Sequence, residues 1–234
     1  MESARSALVI KSTGSWYTLR DDASGQTVTC RIRGNLRLKG SRTTNPVVVG
    51  DRVEYEQPEG ATGVVTKILP RRNYIIRRAS NLSKESHIIA ANVDQAFLVV
   101  SLFLPSTNCE FIDRFLVTAE AYRIPVTLLL NKCDLYATDA LQDAQTEFLK
   151  IYRSAGYEVI ELSATQQTGI DAFKKMLPGK TSLLSGNSGV GKSTLIRAID
   201  PSLDIRIGAV SASSSKGKHT TTFSEMYPLA GGGY

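Results

Sequence analysis

The chain lacks any apolar run near the ~20 residues that a helix needs to cross a bilayer. Its opening, Met-Glu-Ser-Ala-Arg-Ser, also lacks the long apolar centre of a secretory signal. These two absences predict a soluble cytoplasmic protein with no membrane partner. Cysteine is scarce as well: Cys30, Cys109 and Cys133 are the three, and no two stand in a C-x-x-C pair. That excludes a disulfide framework and a zinc site built from the residues shown, and it leaves buried or half-buried thiols as the expectation. Sustained helical periodicity is missing from the first third, and so is charge balance. Through Ser80 there are 14 Lys and Arg against 7 Asp and Glu, whereas from Asn81 onward there are 14 against 15. A basic front on a near-neutral remainder suggests that the front meets a polyanion, with nucleic acid the usual one.

What is present divides into two domains, as 234 residues with 42% hydrophobic content allow. Residues 8–11, 16–20, 27–33, 47–56 and 63–69 alternate apolar with polar, and turn residues separate them, which predicts five strands. Five strands in so short a span suit a small Greek-key barrel of the oligonucleotide-binding (OB) type, here residues 1–70. Arg31, Arg33, Arg37 and Lys39 recur along one strand and its following loop, so they are the candidate RNA-binding residues. Trp16 and Tyr17 have two readings, base stacking or barrel core, and both stay open. Residues 71–92 read as a linker, and its Arg71, Arg72, Arg77 and Arg78 have two readings, an extension of the basic surface or a polar spacer between two modules.

From residue 93 the period changes. Mostly apolar runs at 93–102, 126–130, 157–161 and 181–185 predict strands buried on both faces. They alternate with helical patterns, including residues 111–119, 140–155, 168–177 and 192–199. Such alternation means a parallel sheet covered by helices on both faces, with ligands off the C-terminal strand ends.

The informative motifs fall at those ends. Residues 183–194 read Leu-Leu-Ser-Gly-Asn-Ser-Gly-Val-Gly-Lys-Ser-Thr. Gly186, Gly191, Lys192 and Ser193 fit G-x-x-x-x-G-K-[ST], a loop whose backbone N–H groups cradle phosphates ahead of a helix N-terminus. Gly186, Asn187, Ser188, Gly189, Val190, Gly191, Lys192, Ser193 and Thr194 are therefore candidate triphosphate residues. Lys192 would reach the β- and γ-phosphates, and Ser193 would ligate Mg²⁺. After the strand at 126–130 comes Asn131-Lys132-Cys133-Asp134, an N-K-x-D tetrapeptide. Its carboxylate accepts the two N–H donors of guanine's Watson–Crick edge, which adenine does not offer. Lys132 would lie along the ring, and Asn131 would tie this loop to the phosphate loop. Ser163-Ala164-Thr165 follows the next strand and matches S-A-x, whose backbone N–H supports the guanine carbonyl.

Ordinary GTPases present the phosphate loop first, whereas here N-K-C-D and S-A-T precede it. A parallel sheet tolerates that permutation. A basic five-strand barrel ahead of a permuted domain resembles the family of ribosome small subunit-dependent GTPase A, over residues 8–234. The fold this implies is α/β: an OB-type barrel followed by a circularly permuted P-loop GTPase domain at residues 93–234. Residues 217–222, Gly-Lys-His-Thr-Thr-Thr, resemble that family's switch segment. The resemblance implies that a threonine completes the Mg²⁺ shell, Thr221 first and Thr220 second. It also implies His219 as the group that orients the attacking water, beside Lys192; the other reading, in which His219 contacts RNA or solvent, stays open.

Further implications are GTP and GDP as ligands, docking on rRNA of the small ribosomal subunit, ribosome-stimulated hydrolysis, late subunit maturation and a monomeric state. Two alternatives remain: a permuted GTPase that acts on another RNA, and an RNA-binding module with a non-hydrolysing nucleotide domain. No strand ending in D-x-x-G follows the phosphate loop, although the family carries one. The expectation is therefore a longer chain, with residues 222–229 as an edge strand and the family's zinc-binding module beyond Tyr234.

Overall fold

The computed structural model describes residues 4–32, 34, 46–58, 60–78, 86–203 and 224–234. They fall into two compact units, one drawn from Met1–Val93 and His219–Tyr227, the other from Asp94–Lys218 and Pro228–Tyr234.

In the first unit β1 (Arg5–Ser12), β2 (Tyr17–Asp21), β3 (Thr27–Ile32), β4 (Arg52–Glu56) and β5 (Gly63–Ile68) hydrogen-bond in the order β1-β2-β3-β5-β4. Pairing of β4 with β1 closes the ring, so the barrel has no free edge among these five strands. The period of two places Ala7, Val9, Tyr17, Leu19, Cys30, Val53, Tyr55 and Val65 inside. A register shift between Val9 and Lys11 changes the inward parity of β1, so Ser12 is also buried. Residues 47–51 do not join β4 as the apolar pattern predicted. Val47, Val48 and Val49 are buried in a turn fastened by Asp51, whose Oδ2 accepts from Val48 N at 2.9 Å. Arg71 grips the same buried carboxylate with two bonds, Nε to Oδ1 at 2.7 Å and Nη2 to Oδ2 at 2.8 Å. Its charge is spent inside the fold and does not extend a basic surface.

The segment expected as a linker contains a two-stranded antiparallel hairpin, β6 (Tyr74–Arg78) and β7 (Ser86–Ala91). Asn73 closes its base by donating to Val93 O and accepting from Val93 N, both at 2.8 Å. Ser224–Glu225 pairs with β1 in this unit rather than forming the expected edge of the α/β sheet. Met226 N donates to Ile10 O at 2.7 Å, and Glu225 pairs with Lys11 at 2.9 Å, which fixes that register.

The second unit alternates β8 (Gln95–Val100), α1 (Cys109–Ala121), β9 (Val126–Leu130), α2 (Asp139–Ser154), β10 (Glu158–Glu161), α3 (Ile170–Lys174), β11 (Ser182–Gly186) and α4 (Lys192–Ile199). Its four strands are parallel, in the order β10-β9-β8-β11. Side chains leave a strand on alternate faces, and both faces here are apolar. Phe97, Val99 and Leu129 pack with Phe173 and Leu195 of α3 and α4. Leu98, Val100, Leu128 and Leu130 pack with Ile112, Leu116, Phe148 and Tyr152 of α1 and α2. Asn108 starts α1 by accepting from Glu110 N at 2.8 Å, and Thr138 caps α2. The two inner strands, β8 and β9, thus end within reach of the edge strand β11, and the loops leaving those ends build the site.

Candidate nucleotide site

The loop from Gly186 to Lys192 joins β11 to α4 in a conformation that ordinary side chains do not permit. Gly186 has φ 147° and Gly191 has φ 100°. A Cβ at Gly186 would stand 2.4 Å from Val99 O, and one at Gly191 would stand 2.3 Å from Asn131 Nδ2. The second contact explains how the loops meet: glycine lets the buried Asn131 amide press against the phosphate loop. Val190 between them is fully buried and anchors the loop to the core. Lys192 opens α4, and its Nζ donates to Gly186 O and Asn187 O, both at 2.7 Å. Burial pushes its pKa down, so an anion seated here would relieve a desolvated cation. Ser188 and Gly189 are exposed at the loop's tip; Ser193 and Thr194 occupy the first turn of α4.

Asn131 is the junction of three loops. Its Nδ2 donates to Val190 O at 2.8 Å, and its Oδ1 accepts from Ala164 N at 3.2 Å. The N-K-C-D, S-A-T and phosphate loops, far apart in the sequence, are thereby held by one side chain that is 2% exposed. Lys132 takes the left-handed conformation, φ 66°, and its ammonium donates to Leu104 O. Desolvation lowers its pKa. Asp134 Oδ2 receives a long contact of 3.5 Å from Thr165 Oγ1. Its Oδ1 is buried and has no hydrogen-bond partner among the described residues. An acceptor left so in a native interior calls for a donor from outside, since orphaned buried acceptors are rare. Ser163 is buried and braces its own turn, with Oγ 3.1 Å from Thr165 Oγ1 and accepting from Gln166 N at 3.2 Å.

Asp134, Lys132 and Ala164 line a cavity of 180 Å³ with Gly191 and Thr194 of the phosphate loop and α4. That is below the roughly 300–1,000 Å³ of a pocket enclosing a whole drug-sized ligand. It suits a site that encloses a base and leaves ribose and phosphates more open. A two-acceptor carboxylate at one end and a glycine cradle with a half-buried ammonium at the other is the donor–acceptor set of a guanine nucleotide.

Comparison with known proteins agrees. The family model described as RsgA GTPase matches residues 68–234, and the RsgA N-terminal domain model matches residues 7–65. The chain belongs to the RsgA GTPase family. Among its relatives, the small ribosomal subunit biogenesis GTPase RsgA of Bacteroides fragilis is 52% identical over 227 residues, covering 97% of this chain and 73% of that protein. RsgA 2 of Bacteroides thetaiotaomicron is 53% identical with the same coverage. Two solved structures share the fold. YjeQ from Thermotoga maritima superposes with TM-score 0.68 at 37% identity, covering 87% of this chain and 68% of that one. YloQ, a circularly permuted GTPase, gives 0.63 at 32% identity, with 86% and 66% covered.

This RsgA-family chain thus has the expected architecture, a closed five-stranded barrel and a permuted P-loop GTPase fold. Membership implies GTP or GDP with Mg²⁺, and the cradle and the unpartnered Asp134 oxygen fit the nucleotide. Leu135 and Thr165 also line the base cavity. Thr165 is the open position of the S-A-x match, and Leu135 follows directly on the N-K-x-D tetrapeptide, so no motif letter marks either. Of the barrel candidates, Arg31 is exposed and lies 3.9 Å above the Trp16 ring. Trp16 is 39% exposed and Tyr17 is 1% exposed, so the pair divides, one surface and one core. Arg33, Arg37, Lys39, His219, Thr220 and Thr221 lie outside the described residues. No group of three or more His, Cys, Asp or Glu that could hold a metal occurs among the described residues. Cys30 and Cys133 carry thiols that burial pushes up to about 12 and about 11, whereas Cys109 is exposed. No helix of the described residues is long and apolar enough to cross a membrane.

Proposed function

We propose that this chain is a cytoplasmic GTPase acting on the small ribosomal subunit, which it contacts through RNA while GTP hydrolysis times its release. The observation that carries the nucleotide half is the buried Oδ1 of Asp134, without a partner among the described residues, in a cavity shared with Gly191 and Thr194. Asp134 would accept from guanine N1–H and the 2-amino group, and the turn of Ser163, Ala164 and Thr165 would face the carbonyl, with the Ala164 N–H already given to Asn131 Oδ1. Lys132 would cover one face of the ring. The N–H groups of residues 186–194 and the Lys192 ammonium would hold the phosphates, with Ser193 and Thr221 as Mg²⁺ ligands. When bound, Mg²⁺ would supply neutralising charge to the phosphates. His219 is proposed to orient the attacking water, with Lys192 stabilising the charge that develops on the transferred phosphoryl oxygens.

The subunit half rests on the relatives' names and on the barrel. Its basic front carries Arg31 and Trp16 beside a depression of 420 Å³, a cation and an aromatic of the kind that hold single-stranded RNA. We assign residues 1–70 to RNA binding and residues 93–234 to the nucleotide, except Ser224–Glu225, which joins the barrel strand β1, and we take the protein to act as a monomer. Zinc is an expectation of the family alone and is given no ligand among the described residues.

The test is GTP turnover with and without purified small subunits, at low and high salt. Strong stimulation by subunits, lost at high salt, is the expected result. Hydrolysis stimulated equally by unrelated RNA would move the proposal to another RNA. Salt-sensitive RNA binding without turnover would leave an RNA-binding module.

A further inference from the structure

Residues 101–107, which link β8 to α1, form a strap between the two halves of the nucleotide site. At one point it touches the phosphate loop: a Cβ built on Gly189 would lie 3.3 Å from Pro105 Cδ. At another it touches the guanine loop, because Leu104 O accepts from the Lys132 ammonium. The strap's base is closed by Thr107, whose N donates to Ser101 O at 2.7 Å and whose Oγ1 accepts from Ser101 N at 3.1 Å. Its apolar tip does not pack inward, since Phe103 is 43% and Leu104 61% exposed. Hydrogen bonds rather than burial therefore set its position.

One side chain joins this strap to the guanine loop from behind. Tyr136 is 4% exposed, and its hydroxyl donates to Asn131 O at 2.8 Å while accepting from Leu102 N at 2.9 Å. A phenol has one proton and uses it on the guanine loop; the lone pair holds the strap. Burial raises its pKa, which keeps that proton in place at neutral pH. The ring packs among Leu98, Val100, Leu128 and Leu130, so the hydroxyl is aimed by the sheet itself. Asn131 is the residue that ties all three site loops together, and its carbonyl is the group Tyr136 holds.

We propose that Tyr136 is a positioning residue for guanine: through Asn131 and the strap it fixes the spacing that keeps Lys132 and Asp134 aligned on the base. The inference rests on the guanine-nucleotide reading above. Without the hydroxyl, Leu102 N–H and Asn131 C=O both lose a buried partner, the strap and guanine loop are free to slide apart, and the Lys132 stem loses its seat. The guanine-specific contacts should weaken more than the phosphate contacts, because Lys132 and Asp134 follow directly on the carbonyl that Tyr136 holds, whereas the phosphate loop keeps its own glycine geometry and its bond to the Asn131 side chain.

The test is Tyr136→Phe, which keeps the packed ring, with GDP and IDP competing against a fluorescent GDP analogue. IDP lacks the 2-amino group that Asp134 accepts. The expected result is roughly tenfold weaker GDP binding, seen mainly as faster release, on the scale of one unmet buried hydrogen bond. The GDP-to-IDP affinity ratio should fall at the same time. A ratio does not depend on the fraction of molecules that are folded, so general destabilisation does not imitate the effect. Thr107→Val loosens the strap without touching Tyr136 and should shift the ratio the same way by less; it decides the matter if Tyr136→Phe does not fold. An unchanged ratio in the folded variants overturns the proposal. If the unaltered protein does not prefer GDP over ADP, the underlying reading fails instead.

Discussion

Two carboxylates with buried oxygens in this chain have opposite fates. Asp51, in the barrel, has both oxygens saturated by Arg71 and Val48 N. Asp134, in the α/β unit, has one oxygen in a long contact with Thr165 and the other unpartnered among the described residues. The same functional group is part of the fold in one place and a receptor for a ligand in the other, and the difference lies in whether the chain itself supplies the donors. Saturation makes removal of a partner destabilising. An unmet acceptor makes removal a matter of binding.

The sharpest way to separate the two is Asp134→Asn. An amide offers one acceptor and one donor where the carboxylate offers two acceptors, so guanine meets a donor facing its own. GDP affinity should fall by roughly a thousandfold or more, the scale of a buried polar mismatch, while XDP, with a carbonyl at position 2, gains. Competition binding with both nucleotides checks this, and the melting temperature without nucleotide should change little. Next is Arg71→Ala, which strands the Asp51 charge. Stability should drop by about 3–5 kcal/mol in denaturant unfolding, with the GDP-to-ADP preference unaltered. A loss of nucleotide preference in this variant, or of stability in the first, would erase the contrast.

The phosphate loop gives a smaller effect. In Gly191→Ala the new methyl would meet the Asn131 amide at 2.3 Å, so one change should disturb both half-sites. GDP affinity is expected to fall by roughly ten- to a hundredfold, from about 1–2 kcal/mol of left-handed strain plus displacement of Asn131. The smallest effect belongs to Asp21, a third buried carboxylate and a saturated one. Ser24 N–H, Ser24 Oγ–H and the Tyr55 hydroxyl hold its pKa at about 2, down from 3.8. A depressed carboxylate contributes stability above its unfolded pKa and loses it as pH falls through the folded one. Thermal melts between about pH 4 and about pH 2 should decline less steeply for Asp21→Asn than for the unaltered protein.

Legibility in the sequence followed the same division. Motif spacing marked Asn131, Lys132, Asp134 and Gly186–Ser193, and the fold brings these loops together at one cavity; β9 and α4 appear at the predicted limits because their apolar patterns are unbroken. The hairpin of β6 and β7 was not readable, because arginines at 71, 72, 77 and 78 mask a short apolar pair, Ile75 and Ile76. Nor was the turn at 47–51, where a valine run imitates a strand until Asp51 bends it. Tyr136, Leu135 and Thr165 carry no motif letter, and their positions depend on contacts that the tertiary fold alone creates. Arg71 had the composition of an RNA contact and the environment of a core ion pair, which charge counting does not distinguish.

The account stands most directly on a titration of the unaltered protein with GDP and with ADP, side by side, in the same Mg²⁺ and salt. It predicts saturable GDP binding at least a hundredfold tighter than ADP binding, on the scale of a buried acceptor met by two donors in one case and none in the other. Equal affinities, or a preference for ADP, would contradict it, because the unpartnered oxygen of Asp134 would then have found its donor somewhere other than guanine.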